Sequence, residues 1–256
     1  MAIEACGATH KGNVRNHNED NIYVDGFFRS DLARDNVIIR NKRTEGQRVF
    51  AVFDGLGGAA CGERASFIAA LGLKTMEERG AADDIEMFVS TAHHAILQES
   101  IRKDARNMGT TAVVLLINDM RADIYNIGDS RAYLFRNRKL SQLSRDHSVW
   151  QSLMDHGFEE AARRDKRGGE LTQYIGMFSE EDIEPEAFRA SEILRPGDRL
   201  ILCSDGLSNE LSDEEIAGII DEHRDDSAEH LTAWLIKAAV DKRGRDNVSV
   251  VVVKVD

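Results

Sequence analysis

Short apolar runs bounded by Gly, Asp or Asn are interleaved with longer stretches in which apolar residues recur every three or four positions. The runs 48–53, 110–117, 122–127, 131–135, 199–203 and 248–255 are rich in Val, Ile and Leu and predict strands. Helical spacing predicts one element on Ala65, Ile68, Ala69, Gly72 and Met76. A second is predicted on Ile85, Phe88, Val89, Ala92 and Ile96, with Asp83 and Glu86 as its start signal. Ser212 and Glu215 form a capping box ahead of Ile216, Ile219 and Ile220, and Ala228, Leu231, Leu235 and Ala238 mark a last helix. One strand precedes the first helices, and a run of strands then follows with no helix between them. That order is not the βαβ alternation of a doubly wound parallel sheet. It fits an α+β chain of antiparallel sheets with helices packed outside. Asp25-Gly26, between Tyr23-Val24 and Phe27-Phe28, reads as a hairpin turn. The charged stretches 29–47 and 158–170 read as irregular, solvated surface excursions.

Composition narrows the class. The chain has 256 residues, and 33 Lys and Arg against 45 Asp and Glu leave a formal charge of −12. This acidic balance argues against general binding to nucleic acid or to anionic membrane, both of which need cationic surface. No apolar run approaches the ~20 residues that span a bilayer, and residues 1–13 contain no signal-peptide core. Cys6, Cys61 and Cys203 are far apart and form no CxxC pair, so neither a disulfide framework nor a thiolate zinc site is expected, and a reducing, cytoplasmic setting is. Two prolines and no low-complexity linker point to a single domain over 1–256. Oligomeric state is not legible.

Five aspartates carry the candidate chemistry. Asp20 closes Asn18-Glu19-Asp20, Asp54 follows the apolar run ending at Phe53, Asp129 follows Ile127-Gly128, Asp205 follows Leu202-Cys203-Ser204, and Asp246 precedes Asn247 and the final strand. Strand ends are where a rigid scaffold meets solvent. Taken singly, each is first a turn or cap residue, and spacing alone does not show that they converge. If they converge, they cannot all stay ionised without a cation. Carboxylate, carbonyl and water ligands suit hard ions such as Mg²⁺ or Mn²⁺, and a pair of these can drive an in-line displacement at phosphorus. Adjacent His93 and His94 read as ordinary helix residues. Cys203 reads as an inert core thiol and Cys61 as part-exposed, with nothing to mark it as a nucleophile. Ser130 and Ser204 read as donors to the neighbouring aspartates.

Nine short strings then fall in a recognisable order: Gly12-Asn13-Val14-Arg15, Asn18-Glu19-Asp20, Val52-Phe53-Asp54-Gly55-Leu56-Gly57-Gly58, Gly62-Glu63-Arg64-Ala65-Ser66, Gly109-Thr110-Thr111, Gly128-Asp129-Ser130-Arg131, Asp146-His147-Ser148, Leu202-Cys203-Ser204-Asp205-Gly206-Leu207 and Asp246-Asn247-Val248. With them the chain resembles the metal-dependent Ser/Thr protein phosphatases of the type 2C class, in their bacterial form, nearly end to end. The resemblance implies a central antiparallel β-sandwich flanked on both sides by helices, a four-layer αββα fold, with a small flap subdomain at about 144–178. It implies two Mn²⁺ or Mg²⁺ ions, bridged by Asp54 with the Gly55 carbonyl on one of them. Asp20 would reach them through water with Glu19 beside it, and Asp205 and Asp246 would hold the other ion. Asp129 together with Asp205 would form a third metal site. Arg15 would bind the substrate phosphate, Ser130, Ser204 and Asn247 would support the ligands, and a metal-bridging hydroxide would attack phosphorus. The substrates implied are phosphoserine and phosphothreonine proteins made by a Ser/Thr kinase.

Two departures stand out. Many eukaryotic relatives carry a histidine after the Asp-Gly where this chain has Leu56, so the proton for the leaving alkoxide must come from elsewhere. The segment Arg163-Arg164-Asp165-Lys166-Arg167-Gly168-Gly169 departs from the usual flap pattern and reads equally as a solvated loop or as a patch attracting acidic phosphoproteins. The connection holding Arg40, Lys42, Arg43 and Arg48 reads as plain solvated surface. A pseudo-enzyme and a hydrolase of other phosphoesters compete with the phosphatase expectation. Retention of Asp20, Asp54, Asp205 and Asp246 argues against the first, and the motif set against the second.

Overall fold

Side chains along the central strands alternate between two apolar environments, and this alternation sets the layers. The computed structural model describes residues 2–41, 46–57, 61–105, 107–181 and 183–256. In chain order the first elements are β1 (Ile3–His10), β2 (Asn21–Val24), β3 (Phe27–Phe28), β4 (Val37–Asn41), β5 (Arg48–Phe53), β6 (Gly55–Leu56), α1 (Gly62–Glu78) and α2 (Ile85–Lys103). Next come β7 (Gly109–Thr110), β8 (Ala112–Asn118), β9 (Arg121–Ile127), β10 (Arg131–Arg136), β11 (Lys139–Gln142), α3 (Val149–Asp155) and α4 (Glu159–Arg164). The last are β12 (Phe188–Ile193), β13 (Arg199–Cys203), α5 (Asp205–Ser208), α6 (Asp213–Glu222), α7 (Ala228–Lys242) and β14 (Val248–Val255).

Two antiparallel six-stranded sheets face each other, in the orders β11-β10-β13-β14-β1-β4 and β12-β9-β8-β5-β2-β3. Val113, Leu115 and Ile117 of β8 meet Val251, Val253 and Val255 of β14 between the sheets. The alternate residues Ala112, Val114 and Leu116 turn outward against α1 and α2, among Leu73, Phe88 and Ile96. On the far side Val248, Val250 and Val252 pack under α6 and α7, among Ile216, Leu231 and Leu235. The result is the expected α+β sandwich in four layers, αββα.

Several local expectations need correction. Five further strand segments, β1 to β4 and β6, join β5 ahead of α1 in place of the single strand expected. β1, IEACGATH, lacks a Val/Ile/Leu run; it is a strand because β14 pairs along its whole length. The predicted strand 110–117 breaks at Thr111, whose backbone N–H donates to the Asp54 carbonyl at 2.9 Å while its hydroxyl accepts from the Asp54 N–H at 3.0 Å. The stretch 29–47 is not all irregular: β4 extends the first sheet beside β1. Of its cations Arg48 is not solvated surface but is buried against Asp25, whereas Arg40 stays exposed, as expected, while pairing with Glu229. Lys42 and Arg43 lie outside the described residues, as does Gly58. The stretch 158–170 contains α4. α2 is capped by Asp84, whose side chain accepts from Met87 N–H, and not by the Asp83 and Glu86 signal. The Ser212/Glu215 capping box is present in full. Asp25 and Gly26 both take positive φ in the β2–β3 turn, as a tight hairpin requires.

Candidate active site

Strand ends and short loops bring the singled-out residues to one edge of the sandwich. A cavity of about 220 Å³ is lined there by Asp54, Asp129, Asp205, Asp246, Glu19 and Arg15, together with Gly55, Leu56 and Asn247. Hollows of about 410 Å³ beside α2 and beside α7 carry fewer carboxylates, and one of about 340 Å³ adjoins the cavity and shares Asp129 and Asp205 with it. With every group ionised, five carboxylates and one guanidinium would leave an excess of four negative charges on the cavity wall.

Each group has an identifiable support. Asp54 follows β5 and is fixed through its backbone by Thr111; the Thr111 and Ser130 hydroxyls are in turn 2.7 Å apart. Gly55 must be glycine, because a Cβ there would lie 2.2 Å from the Gly62 carbonyl and 2.4 Å from that of Glu19. Asp205 opens α5 at the end of β13 and accepts from Asn209 at 3.0 Å. Asp246 accepts from Arg15 at 2.6 Å on one oxygen and from the Asn247 N–H at 2.8 Å on the other. The Asn247 side chain accepts from Glu19 N–H at 2.8 Å and donates to the carbonyls of Lys11 and His17 at 2.9 and 3.0 Å. It thereby ties the loop bearing Arg15 and Glu19 to the start of β14.

Asp20 does not line the cavity. It is 1% exposed, behind Asp54, and one carboxylate oxygen accepts from the hydroxyls of Ser204 at 2.8 Å and Ser249 at 2.6 Å. The Ser204 hydroxyl is therefore engaged as a donor, which fits support and not nucleophilic attack. Burial pushes the Asp20 carboxyl up to about 7, with repulsion from Asp246 and Asp205 adding to it. Asp129 rises to about 7 from burial and then the charges of Asp205 and Asp146. Asp54 rises far above the ordinary range from burial and then repulsion by Asp20, Asp205, Asp129 and Asp246. Asp205 and Glu19 shift in the same direction, mainly through burial. A set of carboxylates held this way is one whose ionised form needs cations.

Among the described residues no three His, Cys, Asp or Glu side chains are gathered into a ready-made metal cage. The carboxylates stand around a basin instead. That suits hard divalent ions that keep several waters and use few protein ligands each. Two divalent cations would balance the four excess charges.

Beyond the basin, Arg131 makes a forked ion pair with Asp146 and also reaches the Tyr133 hydroxyl, bracing the Asp129 turn. His147 accepts from Gly128 N–H at 3.1 Å. Gly169 and Leu171, from the segment after α4, reach the cavity. Three of the four cations of that segment have local partners: Arg163 with Glu159, Arg164 with Glu160, Arg167 with Asp165. Its patch is thus largely neutralised, which favours the solvated-loop reading. His93 accepts from Gly176 N–H at 3.2 Å and is structural. Burial pushes the Cys203 thiol up to about 12, as an inert core residue requires.

Sequence reasoning missed Ser249 and Arg29, and gave Thr111 no role beyond its place in the Gly109-Thr110-Thr111 string. Ser249 had a signal, being a lone hydroxyl in the apolar run Val248–Val255, where it must find a partner. Arg29 had none.

Comparison with known proteins agrees with this arrangement. The sequence model of the family described as Protein phosphatase 2C matches residues 29–242. The serine/threonine phosphatase stp of Listeria monocytogenes is 32% identical over 97% of this chain and 94% of its own length. The serine/threonine protein phosphatase PstP of Mycobacterium tuberculosis is 31% identical over the whole chain, which spans 45% of the length of that relative. Among solved structures, that of the S. agalactiae serine/threonine phosphatase superposes with a TM-score of 0.83 at 25% identity, covering 99% of this chain and 100% of that one. The catalytic domain of PstP, solved in complex with two manganese ions, gives 0.75 at 29% identity, over 100% of this chain and 99% of the other. The chain belongs to the protein phosphatase 2C family.

Proposed function

We propose that this chain hydrolyses phosphoserine and phosphothreonine in proteins, with two Mn²⁺ or Mg²⁺ ions held in the carboxylate basin and a third at Asp129 and Asp205. One observation carries the reading of the two central ions: five carboxylates and one arginine meet at a single cavity whose excess charge, with every group ionised, two divalent cations would balance. The activities named for the Listeria and Mycobacterium relatives support it.

Asp54, the Gly55 carbonyl, Asp205 and Asp246 are the groups that would hold the two central ions, with Asp20 behind them. When bound, such ions supply a water activated for attack and Lewis-acid stabilisation of the phosphoryl oxygens. Arg15 binds the substrate phosphate through its planar fork. Its present bond to Asp246 shows that the guanidinium reaches the basin. Asn247 orients Glu19, and Ser204 with Ser249 fixes one Asp20 oxygen, so that the other points away from the two hydroxyls. Leu56 lines the cavity and offers no proton. The proton for the leaving alkoxide therefore comes from a group other than residue 56.

Residues 1–256 are read as one catalytic domain in which 144–178 forms a flap over the basin. The substrates are proteins phosphorylated by a Ser/Thr kinase, in a cytoplasmic setting. No described helix is long and apolar enough to cross a membrane. The test is phosphate release from a phosphothreonine peptide after chelation and again after adding Mn²⁺. Release that stops on chelation and returns with Mn²⁺ supports the reading. Release unaffected by chelation, or absent with either metal from folded protein, contradicts it.

A further inference from the structure

The connection between β3 and β4 packs against the back of the loop that carries Glu19 and Asp20. Among the described residues Arg29 is the bulkiest side chain to be fully buried, at 1% exposure. Its guanidinium bonds to main-chain carbonyls alone. One terminal nitrogen, Nη1, donates to the carbonyls of Asn18 at 2.7 Å and Asp20 at 2.9 Å. The other, Nη2, donates to Leu32 at 3.0 Å, and Nε donates to Arg34 at 2.8 Å. The Arg29 backbone is itself clamped. Its N–H donates to the Asn21 side chain at 3.0 Å, and its carbonyl accepts from the same amide at 3.1 Å. A second tie lies alongside, where Asn18 N–H donates to the Asp35 carboxylate at 3.1 Å and the Asn18 amide to the Asp35 carbonyl at 2.6 Å.

Burying a cation without a paired carboxylate is costly. A neutral side chain could fill the same space. The two Nη1 bonds bracket Glu19, so they fix the main chain on both sides of that residue and set where the Asp20 carboxylate begins. We propose that Arg29 is a positioning residue: it locks the Asn18–Asp20 loop so that Asp20 stays on Ser204 and Ser249 beside Asp54. The connection from Arg29 to Asp35 is then part of the basin's supporting structure. The inference rests on the reading that this basin holds divalent cations.

The test uses Arg29→Met, which keeps the apolar stem and loses the donors, with Arg29→Lys, Asp35→Ala and Asp20→Ala beside it. Mn²⁺ affinity is read by calorimetric titration of the chelator-stripped protein, and KM for a phosphopeptide is read at saturating Mn²⁺. Arg29→Met is expected to weaken Mn²⁺ binding about 10-fold or more, the usual scale for a lost supporting group, with KM within about twofold of wild type. Arg29→Lys recovers part of the loss, and Asp35→Ala shifts affinity in the same direction by less. A folded Arg29→Met protein with wild-type Mn²⁺ affinity overturns the proposal. Should Arg29→Met fail to fold, Asp35→Ala decides, and wild-type affinity there overturns it. Asp20→Ala separates the two levels. Unchanged affinity in that variant removes the reading of Asp20 and the proposal with it, whereas a loss there without one in Arg29→Met removes only the proposal.

Discussion

Stripping divalent cations from this protein should make its stability fall as the pH rises from about 5 to about 8. The basis is the carboxylate set: burial pushes Asp20 up to about 7 from an ordinary 3.8, Asp129 also to about 7, and Asp54 and Asp205 in the same direction. A carboxyl raised on folding binds protons more tightly folded than unfolded. Its stabilising contribution is full below the unfolded value and is lost as the pH climbs through the folded one. A rise of about three pH units in one group corresponds to about 4 kcal/mol. The four carboxylates repel one another and titrate as a set, so the loss belongs to the set and is not four times that figure. In a chain of this size each kcal/mol moves Tm by about 2–4 °C, so the metal-free Tm should drop by about 8 °C or more. His10 and His147 act oppositely. Burial holds both below their ordinary value, and they add stability as the pH rises to about 6.5. Thermal melts with and without Mn²⁺ across the range cancel the histidines, and the difference isolates the basin. A gap between the two Tm values that widens toward about pH 8 is expected. A gap that stays constant, or that closes as the pH rises, would refute the reasoning.

Asp25→Ala removes the buried carboxylate that accepts from Arg48 Nε at 2.8 Å, from its Nη2 and from the Val49 N–H, so urea melts should show a loss of about 3–5 kcal/mol while Mn²⁺ affinity stays as it was. Gly206→Ala places a Cβ 1.9 Å from the Asn247 carbonyl; forcing backbone apart there should cost about 3 kcal/mol or more and weaken Mn²⁺ binding through the displaced Asp205, both measurable on one sample. Arg15→Ala should lower kcat/KM on a phosphopeptide by about 10- to 100-fold, the value of one or two charge-assisted bonds, and Arg15→Lys should recover only part of it in steady-state assays.

The central layers were legible because their strands are apolar on both faces. The runs of β5, β8 and β14 signal themselves whatever they pair with. β1, β4 and β12 were not legible, since their strand character comes from a partner: β12, FRASEI, is half-exposed and exists as an edge on β9. α2 shows the usual one-residue uncertainty of a start signal, Asp84 capping where Asp83 was expected. At the site, composition could name the candidate aspartates but not their meeting point, because convergence depends on loops from both sheets. The order of motifs supplied what spacing could not. Arg29 shows the remaining gap: an arginine in a charged connection looks solvated until the fold wraps that connection around it. Asp25 is similar, a turn residue by pattern and also the buried partner of Arg48.

The most direct test of the metal-dependent phosphatase reading is phosphate release from a phosphothreonine peptide in Mn²⁺ by the wild-type protein, Asp54→Ala and Asp205→Asn, each checked for retained fold by circular dichroism. The account predicts turnover in the wild type and its abolition in both folded variants. Near-normal release by both variants would contradict it, because the reaction would then proceed without the carboxylates that define the basin.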